Sequence, residues 1–304
     1  MQKYSLEKFQ DIIKIERQRA MAPYELVYKG FMALGYSQQE ASFFFQNASA
    51  VVENLRDFCW SNFIPEEERF SGDMLKKLID DSALDDLSAR EAIECFIDSY
   101  PQHIYQLCLS NTQSRRSRAG KEFEAIIELL LMGAGIPMDT QGNIGKKVFI
   151  DKSLGKLVDI VSPGVVEYVI DKNYTSLVSA KTTLRERWQE VPEEMSRTGA
   201  REMFLATLDD SITTEVLNTL YEANIRIVTT KSNKLENYAT ERRVIDFETL
   251  LSICDTNQQH WTQDTYNDEE KAAVIANIDK QIEKHKDHTF VCEYYKKRKE
   301  QFEN

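Results

Sequence analysis

Between Ser117 and Gly133 the apolar residues recur every three or four positions, and beyond Gly135 they no longer do. Phe123, Ile126, Ile127, Leu130, Leu131 and Ala134 make one stripe along a helix, which Gly133 and Gly135 end. Downstream the apolar runs are short and β-branched: KVFI, KLVDIV and SLVSAK, set apart by the turn segments DKSLGK, SPG and DKN. The pattern then predicts a helix from about Thr183 to Ser196, a strand MFLATL, a helix over Thr213–Tyr221 and a strand IRIVTT. An order of helix, three strands, helix, strand, helix, strand implies an α/β fold with a mixed central sheet flanked by helices.

Upstream the chain reads as helical. Ser5–Met21 and Pro23–Leu34 have helical spacing, and Ser37 begins a long helix on which Phe44, Ala48, Val51, Val52, Leu55, Phe58 and Cys59 share a face. Met74–Ile79, Ala89–Ile97 and Ile104–Leu109 read as further helices. Three regions are expected: a helical N-terminal region over 1–110, a core over 111–260, and a polar helical segment over 261–304 whose KHKDH and YYKKRKE runs read as solvated charge.

Several classes are disfavoured. With 42% hydrophobic residues, 11 Gly and 6 Pro, the composition is that of a folded chain rather than a disordered one. The five Cys are scattered without a CxxC pair, which fits packing residues in a reducing cytoplasm better than a disulfide framework or zinc cluster. No signal-peptide apolar core opens the chain, and the longest apolar run, AIIELLLMGAG, is broken by Glu128, so no membrane span is expected. His285 and His288 form an HxxH without a third ligand, so no metal site is expected there. The formal net charge of −12 argues against a protein that coats nucleic acid. Within that acidic body, Thr112–Lys121 concentrates Arg115, Arg116, Arg118 and Lys121 without an acid, reading as a helix start or as a local phosphate-binding strip.

The chemistry sits in the strands. Asp159 stands between Val158 and Ile160, where burial is costly unless the carboxylate is paired or holds a cation. Lys181 closes the second strand pattern, and the helix after it offers Glu186, Glu190, Glu193 and Glu194. Fixed carboxylates for Mg²⁺ with a cation beside the attacking water are what metal-assisted phosphodiester hydrolysis requires. Each residue also has a plainer reading, as an edge-strand Asp and an exposed strand-end Lys. Glu124, on the flank of the helical stripe, is either a further acid or an i, i+3 partner of Lys121.

Asp159, the SAK of Ser179–Lys181 and Glu194 together read D–x(21)–K–x(12)–E. This resembles the SsoII-like (CCNGG) family of Type II restriction endonucleases in the PD-(D/E)XK superfamily, related to EcoRII, PspGI and NgoMIV. In that group the second acid has moved from the strand, here Ser179, to the following helix, here Glu194. RAGKEFE, before the first strand, is also similar and makes Glu124 the accessory acid. The resemblance implies a restriction-endonuclease-like core, Mg²⁺ held by Asp159 and Glu194, double-stranded DNA as substrate, a homodimer on a palindrome, and a companion DNA methyltransferase in the same system.

Arg185, Glu186 and Arg187 supply the chemistry for G·C pairs, since Arg donates to guanine O6 and N7 and Glu accepts from cytosine N4. The resemblance assigns Arg56 and Trp60, one helical turn apart, to a pocket for an extruded central base. It is joined by Gln113 at the central step, with Arg115, Arg116 and Lys121 on the phosphate backbone. The rival expectations are a structure-specific repair or recombination nuclease and a DNA-binding module without catalysis.

Overall fold

The computed structural model describes residues 3–83, 87–154, 158–184 and 187–303. Six strands form one sheet in the order β1 to β6: Asp139–Thr140, Ile160–Ser162, Ser176–Ala180, Met203–Ala206, Ile225–Thr229 and Val244–Asp246. The first three strands pair antiparallel and the last four parallel. The mixed sheet flanked by helices is therefore the expected one.

Both faces of the sheet are covered, so strand residues alternate between two cores. Ile160, Val178, Ala180, Phe204, Ala206, Val228 and Ile245 face one core. Val161, Leu177, Met203, Leu205, Ile225, Ile227 and Val244 face the other. The first layer contains α2 (Pro23–Ala33), α3 (Ala41–Lys77) and α5 (Pro101–Gly133). A third cluster, around Phe9, Ile13, Met74 and Leu78, binds α1 (Leu6–Arg17) to the ends of α3 and α5, while α4 (Ala89–Ser99) buries no residue fully. Gly133 ends α5 where the Phe44 ring leaves no room for a methyl group.

Several expectations change. KVFI lies in a helix, α7 (Lys146–Asp151), which follows the single turn α6 (Gln141–Ile144). Only Phe149 of that run is fully buried, and a four-residue apolar run does not itself distinguish strand from helix. The paired elements the sequence did not reveal are β1 and β6, two and three residues long. Ile104–Leu109 and Ser117–Gly133 are one 33-residue helix, so the basic strip and Gln113 lie in mid-helix rather than at a start. Two of its charges are neutralised within the protein: Arg115 pairs with the buried Glu67, and Arg118 with Glu122 one turn on. Likewise, Ser37 belongs to a short 3₁₀ turn and α3 opens at Ala41.

The second layer holds α7, α8 (Val165–Ile170), α9 (Glu190–Thr198) and α10 (Thr214–Glu222). The expected Thr183–Ser196 helix begins late, at Glu190, after a 3₁₀ turn over Arg187–Gln189. Pro192 then falls in the first turn of α9, where a missing N–H leaves no intrahelical bond unmade. After β5 come α11 (Lys231–Asn237), then α12 (Phe247–Gln258), α13 (Asp268–Lys284) and α14 (Thr289–Glu303).

The end of the chain is not a solvated charge run. His285 and His288 are buried, and Arg298 is only 5% exposed. Arg298 donates to the carbonyls of Met138 and Pro163 at 2.8 and 2.9 Å and lies 3.7 and 3.6 Å from the buried carboxylates of Asp139 and Glu167. Asp139 also accepts from the Val165 amide and Gln281, and Glu167 from the Tyr266 hydroxyl. Arg298 thus serves both buried carboxylates at once, Glu167 through its Oε1. Among the described residues, no helix is long and apolar enough to cross a membrane.

Candidate active site

The register of β2 against β3 brings the two chemical residues together. Ile160 pairs with Val178 and Val161 with Leu177, so residue 159 stands opposite residue 179, and Lys181 is two positions further along the same face. The Asp159 amide donates to the Val178 carbonyl at 2.9 Å, carrying the ladder past the start of β2. Lys181 lies just beyond β3, where its amide continues the parallel ladder to Ala206.

Asp159 Oδ2 accepts from the Ala180 amide at 2.7 Å and from Lys181 Nζ at 3.1 Å. Both side chains are largely buried. Burial raises the Asp159 carboxyl above its ordinary range, with the Lys181 charge opposing it. The half-buried Glu124 reaches the same place electrostatically from α5: burial first, and the Asp159 charge second, push it up to about 7. Lys181 and Lys121 act on it in the opposite sense. Lys121 therefore contributes to Glu124's field without capturing its charge, and both plain readings of Asp159 and Lys181 as surface residues give way to a buried ion pair.

Ser179, where a strand acid would stand, is fully buried and cannot neutralise a cation. Glu194 lies on α9, which packs by Val191 and Met195 on the Leu177 face of the sheet; the Glu194 side chain is outside the described residues. Arg185 and Glu186 also lie outside them, as does the Arg187 side chain. Among the described residues no three His, Cys, Asp or Glu groups converge as a metal cluster. Asp159 and Glu124 still present two hard oxygen donors against one close lysine, a donor set that suits a divalent cation such as Mg²⁺.

The other candidates stand apart on the helical layer. Trp60 is 54% exposed, so it does not cap the core, and Arg56 is exposed one turn before it. Arg115 from α5 lies 5.9 Å over the Trp60 ring while bonded to Glu67. Gln113, Arg116 and Lys121 are exposed on α5. An exposed aromatic, a glutamine and basic side chains therefore share the surface of α3 and α5.

Sequence reasoning missed what stands behind the pair. Gln141 of α6 donates through its amide to the Asp159 carbonyl at 2.9 Å and through its side chain to that of Val158 at 3.2 Å. One turn along α5 from Glu124, Glu128 is buried and accepts from Asn143 at 2.7 Å. A carboxylate inside the apolar run AIIELLL was the available signal.

Burial pushes Glu128 up from 4.5 to about 7. The fold therefore favours its protonated form: the contribution is complete below pH ~4.5 and is lost as pH rises through 7. The rise corresponds to about 3 kcal/mol. Glu128→Gln, which keeps an acceptor for Asn143, is expected to lose about 3 kcal/mol less stability than the parent between pH 4.5 and 8. Urea unfolding across that range checks it, and parallel curves for the two proteins would refute the assignment.

Residues 86–251 match the family described as EcoRII C terminal. The chain is 51% identical over 299 residues to the Type II restriction enzyme SsoII of Shigella sonnei, covering 98% of each. It superimposes with a TM-score of 0.92 on Ecl18kI in a metal-depleted complex with uncleaved DNA, at 50% identity over 98% of this chain and 100% of that one. A PspGI–substrate DNA complex shares the fold at a TM-score of 0.56 and 15% identity, over 80% of this chain and 95% of that one.

Proposed function

This chain belongs to the EcoRII C-terminal family and to the Type II restriction endonucleases, and from that premise we propose that it hydrolyses double-stranded DNA at a palindromic CC/GG site, CCNGG, with Mg²⁺. The observation that carries this reading is the Asp159–Lys181 pair at 3.1 Å with Glu124 in its field, in a chain half identical to SsoII. As a Type II enzyme it cleaves DNA sequence-specifically, and the DNA in the Ecl18kI complexes supports duplex DNA as its ligand.

Asp159 and Glu194 hold the cation and Glu124 assists them. Bound there, Mg²⁺ supplies positive charge to the scissile phosphate and makes water a better nucleophile. Lys181 orients the attacking water and helps remove its proton, and the products carry 5′-phosphates. Ala180 and Lys181 keep Asp159 fixed through its Oδ2, so little reorganisation is needed when substrate arrives.

Arg185, Glu186 and Arg187 read the G·C pairs from the major groove. Arg56 and Trp60 take up the extruded central base, Gln113 meets the central step, and Arg115, Arg116 and Lys121 contact phosphates. The exposure of Trp60 beside Arg115 supports this arrangement, since a stacking platform must be open to the base. A palindrome calls for a two-fold protein, so the working form is a homodimer. It acts in the cytoplasm beside a methyltransferase that protects host sites.

The test is digestion of unmethylated plasmid with the purified protein and Mg²⁺, followed by run-off sequencing of the ends. Discrete fragments ending in 5′-phosphates at CCNGG are expected. Cleavage without a sequence rule, or a gel shift without cleavage in Mg²⁺ and Mn²⁺, would overturn the reading.

A further inference from the structure

We infer that Asn143 is a positioning residue for Asp159, held by a hydrogen-bond chain that runs from Glu25 through His288 and His285. The inference rests on the reading of Asp159 as the reacting site's carboxylate.

α6 flanks the Asp159 backbone. Its four residues make one turn, which is unstable alone because a helix nucleus fixes several residues for a single hydrogen bond. Yet Gln141, its first residue, makes the two bonds that hold the Val158 and Asp159 carbonyls. On the opposite edge, Asp159 is held by Val178 of β3. The placement of the Asp159 backbone therefore depends on whatever holds α6.

Three groups hold it from outside. Asn143 Nδ2 donates to Glu128 Oε1 at 2.7 Å, His285 Nε2 lies 3.1 Å from Asn143 Oδ1, and Lys284 Nζ donates to the Gly142 carbonyl. In the structure the Asn143 amide turns its nitrogen toward the Glu128 oxygen and its own oxygen toward the imidazole. That oxygen can only accept, so His285 carries its proton on Nε2. Its Nδ1, 3.2 Å from His288 Nδ1, is then the acceptor. His288 Nδ1 supplies the proton there, and His288 Nε2 lies 3.1 Å from Glu25 Oε2. From His288 onward donors and acceptors run in one sense: His288 donates to His285, which donates to Asn143, which donates to Glu128, with Glu25 at the other end beside His288 Nε2.

The surroundings agree with a neutral His285. Burial first, and the neighbouring His288 second, lower it to about 3. Tyr24 and Tyr28 flank the histidines with ring centroids 4.5–5.1 Å away, and both imidazoles are buried. The chain joins α2, the turn between α13 and α14, α6 and α5, and its output is the backbone bond to Asp159. A group that fixes the orientation of a metal-ligating carboxylate typically changes activity by about 10- to 100-fold.

The test compares Asn143→Ala, His285→Leu and His285→Gln in the full-length protein. The first two are expected to lower kcat about 10-fold or more on a CCNGG duplex, with KM and metal-free binding to that duplex within about twofold. His285→Gln places an amide N–H where Nε2 stood and is expected to restore kcat to within about threefold of the parent. Hydrogen exchange in the peptide spanning residues 158–162 is expected to quicken in Asn143→Ala and not in Lys286→Ala, an exposed neighbour of the chain. Three results would overturn the inference: unchanged kcat in Asn143→Ala, no rescue by Gln, or binding lost in parallel with cleavage. Asp159→Asn separates the two readings, because cleavage surviving that change removes the premise rather than the role of Asn143.

Discussion

Lys181→Ala is expected to lower the cleavage rate by on the order of 10³-fold while leaving specific DNA binding nearly intact. Lys181 Nζ lies 3.1 Å from Asp159 Oδ2 and is the close cation in a site that also gathers the field of Glu124. Without it, Asp159 Oδ2 keeps the Ala180 amide but loses the ammonium beside it that would orient water. Binding should survive, because Lys181 is mostly buried and the proposed base-reading and phosphate-contacting residues lie elsewhere. Single-turnover cleavage with enzyme in excess measures the loss, and a gel shift without divalent metal measures binding. Asp159→Ala should behave alike. Cleavage within about tenfold of the parent in Lys181→Ala would remove Lys181 from the reaction.

Arg298→Met is expected to destabilise the fold by about 3–5 kcal/mol. Met fills the volume but leaves Asp139 and Glu167, both almost wholly buried, without their shared cation. The carbonyls of Met138 and Pro163 also lose their donors. Lys297→Ala, one residue away and exposed, should cost less than about 0.5 kcal/mol. Urea unfolding of the two variants at pH 7.5 decides the matter, and a loss below about 1 kcal/mol for Arg298→Met would show the ion triad to be dispensable.

The contrast between these residues explains what was legible in the sequence. Asp159 and Lys181 stood out because each interrupts or ends a β-branched run, and the antiparallel register of β2 and β3, joined through α8, brings them within reach. Glu124 was legible as a polar position on an apolar helix, although Lys121 offered it a plainer partner. Arg298 was hidden among KKRKE, where only tertiary structure distinguishes the buried cation from its solvated neighbours. Its partner Asp139 stands some 160 positions upstream, in a strand too short to show a period. The unity of α5 was hidden for a related reason: the strip that breaks its apolar stripe is partly neutralised by Glu67 of another helix. The histidine pair showed its ligand types but not its direction, which comes from Asn143 and Glu25 on distant elements.

The triad at Arg298 also sets an order of events during synthesis. Strands β1 to β6 are neighbours in the order they are made, so most of the sheet can pair as the chain leaves the ribosome. The exception is its first edge. Asp139 of β1 has no cation until Arg298 is translated, and Asn143 has no imidazole partner until His285 is. Asp159 and Lys181 exist well before that, but the backbone beside Asp159 is fixed only once α13 and α14 fold back onto the sheet. A nascent chain therefore carries Asp159 and Lys181 before their full surroundings, and on the proposed reading those surroundings arrive with the last helices.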